Sequence, residues 1–513
     1  MPESASIAVA GPPAAVLDRV ARMSLGPWIG GQAIDGAATA TFLLTDPATE
    51  QPIAEVPDSG SPGVELAVRA ARIAAGPWGR TGARRRAEIL ERIAEALEAG
   101  IPWLAELETL STGRPIREMR AQLSILPEWY RYFAAMARTA EGSVPPFEGR
   151  YLNIVRRRPL GAIGQITPWN HPLLILTKKV APAIAAGNTV VVKPSELAPL
   201  SALAFARIAS EAGLPAGVLN VVPGLGRTTG AALANADGLA KIDVTGGTET
   251  GRAIAAAAGR ALARFSGELG GKAPLIVFDD VPIDVAARAA AFAGFIASGQ
   301  TCVQAARVLV ARSIAGPVAE ALALLARRIR LGDPFNPGTQ MGPLVSASQR
   351  DRVDHYVAMA RDEGADVLAG GRRPYRGRGF FYQPTVLSGV EPESRVAQEE
   401  IFGPVGCVIP FDDEADAIRL GNGTAMGLAA SLWTRDLGRA HRVAEALDCG
   451  VVWINDHHRV DPASPWGGFK ASGIGRENGL EAWREYTQTQ SVIVALDDPD
   501  PDWYDTLEQR RLS

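Results

Sequence analysis

Two hydrophobic rhythms alternate along the middle of this chain. Short β-branched runs, Ile163–Thr167 and Thr189–Lys193, have the length and composition of buried strands. Between them "HPLLILTKKVAPAIAAG" carries its apolar residues at helical spacing, so the stretch predicts strand, helix, strand. The rhythm continues. "LSALAFARIASEAG" predicts a helix ended by Gly213, "GVLNVVPG" a strand, "TTGAALANA" a helix, "AKIDVTGG" a strand and "ETGRAIAAAAGRAL" a helix. Repeated βα units of this kind imply a mostly parallel, doubly wound sheet with right-handed crossovers, which binds ligands outside the carboxyl ends of its strands.

A second α/β block begins near Ala273-Pro274 and runs through "EEIFGPVGCVIPF" to "CGVVWIN" at 449–455. Two β-rich stretches stand apart from both blocks: "LNIVRRRPLG" at 152–161 and "TQTQSVIVAL" at 487–496. A long exposed edge strand is a liability in a monomer, so either is a candidate for lending to a neighbouring subunit.

The length of 513 residues exceeds one ordinary core and fits two domains. A hydrophobic fraction of 47% with 21% charged residues is that of a globular protein. The net charge of −4, with scattered arginines, gives no electrostatic footprint for nucleic acid. No apolar run reaches the ~18 residues of a membrane span, and the N-terminal stretch lacks the basic start of a signal peptide. Cys302, Cys407 and Cys449 are widely spaced and odd in number, which supports neither a disulfide framework nor a metal site, and fits a reducing cytoplasm.

Several turns carry candidate chemistry, each with a plainer structural reading beside it. "PGLGRTTG" misses the GxGxxG spacing by one residue, so Gly226 belongs to a turn or to a phosphate site. "VTGGTETG" sets Gly246 and Gly247 between strand and helix, where a pyrophosphate binds or where Thr248 merely caps. Lys193 and Glu196 close a strand as an ordinary charge pair or as ribose ligands; a carboxylate there accepts two ribose hydroxyls and repels a 2′-phosphate. Glu268 is a surface carboxylate or a general base raised by burial. Cys302, in "ASGQTCVQ", is a small buried hydrophobe or a nucleophile.

Taken in order, "PWNHP", "KPSE", "TGGTETG", "ELGGK", "GQTC", "EEIFGPV" and "PWGGFKASGIGRENG" resemble the motif series of the NAD(P)-dependent aldehyde dehydrogenase superfamily over about residues 22–496. The resemblance implies that fold: two doubly wound α/β domains plus a small β oligomerisation ribbon. It places a flexible arm at 1–21, an NAD-binding domain at 22–147 and 169–268, the ribbon at 148–168 and 481–500, a catalytic domain at 269–480 and a tail at 501–513. It further implies NAD-dependent oxidation of a small aldehyde to the acid, with Cys302 as nucleophile, Glu268 as base, Asn170 as oxyanion donor, and a homodimer or homotetramer. Cofactor contacts carried over are Ile166, Trp169, Lys193, Glu196, Gly226, Gly246, Gly247, Glu400 and Phe402. Glu196 favours NAD over NADP. Glu268 disfavours two alternatives, acyl transfer to coenzyme A and, together with Asn170 and Cys302, a catalytically silent homologue. Gly299 is expected to give clearance where nicotinamide and substrate meet.

Three departures from the pattern matter. Gly247 stands where serine is usual. Ser266-Gly267 replaces a bulkier apolar pair and is expected to loosen Glu268. Lys178 stands where many relatives place a tunnel tryptophan and, with Thr301, His457, His458 and Arg459, predicts a basic tunnel entrance suited to an aldehyde bearing a carboxylate or other polar oxygens.

Overall fold

The computed structural model describes residues 9–34, 40–374 and 378–496. The expected tail at 501–513, the last residues of the expected ribbon and the first eight of the expected arm lie outside them. Two sheets dominate. The first has eight strands in the order Gln32–Ala33, Trp28–Ile29, Leu219–Val221, Thr189–Lys193, Ala162–Ile166, Lys241–Thr245, Arg264–Glu268 and Gly473–Ile474. Its five inner strands are parallel and its flanking additions antiparallel. The second has seven strands, six of them parallel, running from Asp366–Ala369 to Val451–Ile454 with Arg307–Ala311 and Pro274–Val277 near the middle.

The strands expected from β-branched runs form because both of their faces are covered, as their unbroken burial records. Helix Pro172–Ala185 is buried along its whole length. It packs in one core with Ala83–Thr112 and Pro127–Thr139 against the first sheet. A helix apolar all round belongs in such an interior, and this one brings two lysines with it. Lys179 Nζ lies 2.5 Å from Asp243 Oδ1 and 2.8 Å from Glu477 Oε1, and Tyr486 donates its hydroxyl to the other Asp243 oxygen. Buried charge persists only when paired, so this cluster fastens the helix to strand Lys241–Thr245 and to the C-terminal segment.

Several boundaries move. Strand Ala162–Ile166 sits at the centre of the first sheet, so only the earlier part of 148–168 belongs to the ribbon. The ribbon is Tyr151–Pro159 paired antiparallel with Thr487–Ala495 through nine matched residues; the two stretches that stand apart in sequence are partners of each other. Within the expected flexible arm, Ala14–Ala21 is a helix whose Val16 and Val20 are buried in the main core. Its apolar stripe supplies the burial that fixes it. The "TTGAALANA" helix is a π turn, Gly226–Gly230, followed by the single turn Ala231–Ala234.

Replacing Asp243 by alanine takes one of its two carboxylate partners from the buried Lys179 ammonium and strands the Tyr486 hydroxyl. The expected cost is about 3–5 kcal/mol of stability, read as a lowered midpoint in denaturant unfolding followed by tryptophan fluorescence.

Candidate active site

Cys302 lies in the loop that leaves helix Ile283–Phe295, and the loop's backbone is unusual. Ala297 (φ 54°), Ser298 (φ 56°) and Gly299 (φ 70°) are successively left-handed. Two non-glycine residues there are strained by about 1–3 kcal/mol each and need support. Ser298 Oγ donates to the Gly342 carbonyl at 3.0 Å, the Gln300 carboxamide accepts from Val345 N at 3.0 Å, and Gln304 Nε2 donates to three carbonyls. A Cβ on Gly299 would collide with the backbone of Gly403 and Pro404. Gly299 therefore serves the fit between two loops, correcting the expectation of clearance for ligands. Gly271 plays the matching part on the other side, where a Cβ would strike the Cys302 carbonyl.

The thiol is half-buried against Val303, Leu428, Trp453 and Trp466. Burial is the main cause that pushes its pKa up to about 12; Glu400, Glu268 and Glu477 add to the rise and Lys178 opposes it. Attack on a carbonyl thus needs a base or an added positive field.

Asn170 is buried, and its Nδ2 donates 3.1 Å to the Gln300 carbonyl, two residues before the thiol. A carboxamide has two N–H donors, so one remains for an oxygen at the reaction centre. The backbone of Asn170 is held from behind by Arg114, whose guanidinium donates to the Asn170 carbonyl at 3.1 Å and to His171 Nδ1 at 2.8 Å. Arg114 pairs with Glu118 at 3.2 Å.

Glu268 ends strand Arg264–Glu268, buried, with Oε2 unpartnered. Desolvation first, then the nearby Glu477 carboxylate, raises its pKa well above the usual range, while Lys178 and Lys179 pull it down. The expected loosening by Gly267 does not occur: Gly267 is paired with Val244 on one side and Ile474 on the other, and a Cβ there would meet the Phe265 ring 2.7 Å away.

Lys178 is 2% exposed. Its ammonium lies 2.7 Å from Glu477 Oε2 and 4.3 Å above the Trp466 ring. His458 Nε2 is 3.5 Å from Thr301 Oγ1, and His457 Nδ1 is 3.1 Å from Ser431 Oγ. Burial pushes these imidazoles down to about 4 and about 3 respectively, so both are neutral at physiological pH. Arg459 has 83% of its side chain in solvent and pairs with Asp456. The basic entrance expected from these residues is therefore corrected to a polar wall of neutral rings, with one lysine ion-paired inside it.

The remaining predicted residues gather at the carboxyl ends of the first sheet. Lys193 bonds Glu196 at 3.1 Å, and the Gly226 amide also reaches the Glu196 carboxylate. Half-buried Ile166 ends its strand beside them, and Trp169 meets Phe402 edge to face at 5.3 Å. Glu400 accepts from Gly271 N at 2.9 Å. Helix Thr248–Arg260 starts without a side-chain cap, Gly246 and Gly247 face open space, and the hydroxyls of Thr245 and Thr248 are buried without partners. Such unspent donors at a helix N-terminus fit a pyrophosphate. Among the described residues no group of three or more histidines, cysteines and carboxylates could hold a metal ion.

Sequence reasoning missed Arg114, Gln122, Lys179 and Glu477. Glu477 stands inside a quoted motif and was open to being found. Arg114 meets Asn170 across 56 residues, and no local pattern announces that.

A thiol in a braced turn, a carboxamide donor and a buried carboxylate with one unpartnered oxygen are groups that can perform covalent acyl transfer, near a sheet edge whose unspent donors suit a pyrophosphate. The chain belongs to the aldehyde dehydrogenase family, whose model matches residues 34–492. It is 41% identical over 478 residues to phenylacetaldehyde dehydrogenase of Pseudomonas fluorescens, covering 91% of this chain and 95% of that one. Among solved structures, betaine aldehyde dehydrogenase of Staphylococcus aureus in complex with NAD+ superposes with a TM-score of 0.93 at 34% identity, covering 96% and 99% of the two chains. PnpE in complex with nicotinamide adenine dinucleotide superposes with 0.91 at 43% identity, covering 93% and 99%.

The Lys178 ammonium lowers the pKa of both Cys302 and Glu268, so Lys178→Met is expected to move both upward. The pH midpoint for iodoacetamide labelling of Cys302, followed by peptide mass spectrometry, should rise relative to the wild type; an unchanged or lower midpoint contradicts the assignment.

Proposed function

We propose that Cys302, Asn170 and Glu268 carry out NAD-linked oxidation of an aldehyde to its carboxylic acid, and that the enzyme prefers NAD to NADP. The observation that carries the reading is the unpartnered Glu268 Oε2, on a buried carboxyl that desolvation and the nearby Glu477 raise well above the usual carboxylate range, with a lone pair facing no protein donor. A base poised this way has the strength for water activation.

Cys302 Sγ gives its proton to a water molecule and bonds to the aldehyde carbon, the C=O π electrons move to oxygen, and the carbonyl oxygen becomes an alkoxide. The free Asn170 N–H and the Cys302 backbone N–H receive it; one such donor is worth about 10²–10³ in rate. Gly246, Gly247 and the Thr248–Arg260 helix start would hold the pyrophosphate, Lys193 and Glu196 the adenosine ribose, and Glu400 with Phe402 the nicotinamide end. When bound, the cofactor supplies the hydride acceptor. With hydride gone, the carbon is a thioester on Cys302. Glu268 takes a proton from water, hydroxide adds to the acyl carbon, and Cys302 leaves as thiolate with release of the acid.

Glu196 supports the NAD preference, because a 2′-phosphate would meet a carboxylate already fixed by Lys193 and the Gly226 amide. The ribbon supports a homo-oligomer, dimer or tetramer: Leu152, Ile154, Ile493 and Val494 are exposed along its two strands. Three free thiols support a reducing cytoplasm. The polar wall supports an aldehyde carrying further oxygens.

With an aldehyde panel and both cofactors, NADH absorbance is expected to report turnover with NAD preferred, and Cys302→Ala to abolish it. Glu268→Gln should keep a stoichiometric first burst while steady turnover falls by about 10²–10⁴. Loss of burst and turnover together would place Glu268 in the attack and not in hydrolysis.

A further inference from the structure

The buried ring of His171 has one nitrogen committed and one free. Nδ1 lies 2.8 Å from Arg114 Nη1 and 2.8 Å from Gln122 Nε2. A guanidinium has only donors, so Nδ1 is the acceptor and the ring proton resides on Nε2. That Nε2–H is buried and has no hydrogen-bond partner in the protein. Buried donors in folded proteins are nearly always satisfied, so an orphan asks for its acceptor.

The position of the ring says where that acceptor comes from. His171 follows the oxyanion donor Asn170 in sequence. Its ring centre is 5.8 Å from that of His458, whose Nε2 is 3.5 Å from the hydroxyl of Thr301, the residue before the nucleophile. The charge of Lys178 acts on His171, His458 and Cys302 alike. Charged groups around the band are balanced: Arg114 is paired with Glu118, and Lys178 with Glu477. The donor itself is not. A cation bonded to Nδ1 draws electron density through the ring and strengthens Nε2–H, and the matched acceptor of a polarised donor is an anionic oxygen.

We infer that His171 Nε2–H receives a carboxylate oxygen of the substrate, which makes the preferred substrate an ω-oxo carboxylate. The inference rests on the proposed oxidation and narrows its substrate class. His171 is a specificity residue, with Arg114 and Gln122 fixing its tautomer.

The test uses the full-length enzyme with NAD on ω-oxo carboxylates and alkanals matched in length. The wild type is expected to favour the acids in kcat/KM by about tenfold, mainly through KM. His171→Phe keeps the aromatic volume and should bring the acid-to-alkanal ratio close to one; His171→Gln, which restores an N–H, should recover part of the preference. A ratio unchanged in His171→Phe, or an equal fall on both substrates, overturns the inference. Calorimetric binding of straight-chain dicarboxylates and monocarboxylates to the wild type with NAD reads the same contact without a variant and without turnover. Equal affinity there also overturns it. A wild type that oxidises neither aldehyde series overturns the proposed oxidation instead, and calorimetry then decides the carboxylate contact alone.

Discussion

One ammonium, Lys179 Nζ, sits 2.5 Å from Asp243 and 2.8 Å from Glu477 in an interior without solvent access, and the working geometry of the enzyme hangs from it. Each ion alone would be intolerable at that depth; together they hold three segments distant in sequence at fixed separation. The helix that carries Lys179 begins just after Asn170. The strand that carries Asp243 lies beside the strand that ends in Glu268. Glu477 reaches back to both lysines of that helix. An ion cluster that reads as structural cement therefore also ties together the segments that carry Asn170 and Glu268, the proposed oxyanion donor and base.

The same charges explain how the site handles protons. Burial works against ionising both Cys302 and Glu268, and the surrounding carboxylates reinforce that resistance. Lys178 leans the other way from within the Glu477 pair. Its ammonium meets the Trp466 ring face on one side and the Glu477 carboxylate on the other, both of which stabilise the charge. The result is a thiol that rests protonated and a carboxyl group held well above its usual range, as the proposed water step would use. Around it the histidines act as hydrogen-bonding surfaces and not as charges.

Much of this was legible in the amino-acid order, for identifiable reasons. Parallel strands buried on both faces read as β-branched runs, so the two sheets and their crossovers follow from periodicity, and the motif order carries the family. What escaped are features whose partners lie far away in the chain. The ribbon pairs residue 151 with 495, and no local rhythm encodes that match. The Val16 and Val20 stripe needed a core to lie against before it counted as structure. Lys178 was singled out as unusual, yet its partner Glu477 lies about 300 residues on, so the sign of the local field could not be foreseen. Gly267 looked like slack until two flanking strands were seen to clamp it.

Strand Gly473–Ile474 is only two residues long, but it covers the outer edge of the strand that ends in Glu268, and Thr487–Ala495 completes the ribbon begun at Tyr151. During synthesis, then, the amino-terminal sheet emerges with its most important edge bare and half a hairpin waiting. Closure waits until residues 473–495 have left the ribosome. A nascent chain in this state presents open hydrogen-bonding edges for about 10–40 s at ordinary elongation rates, the interval in which unpaired strands find wrong neighbours. The order of translation thus leaves Glu268 on an unpaired sheet edge until residues 473–474 have been made.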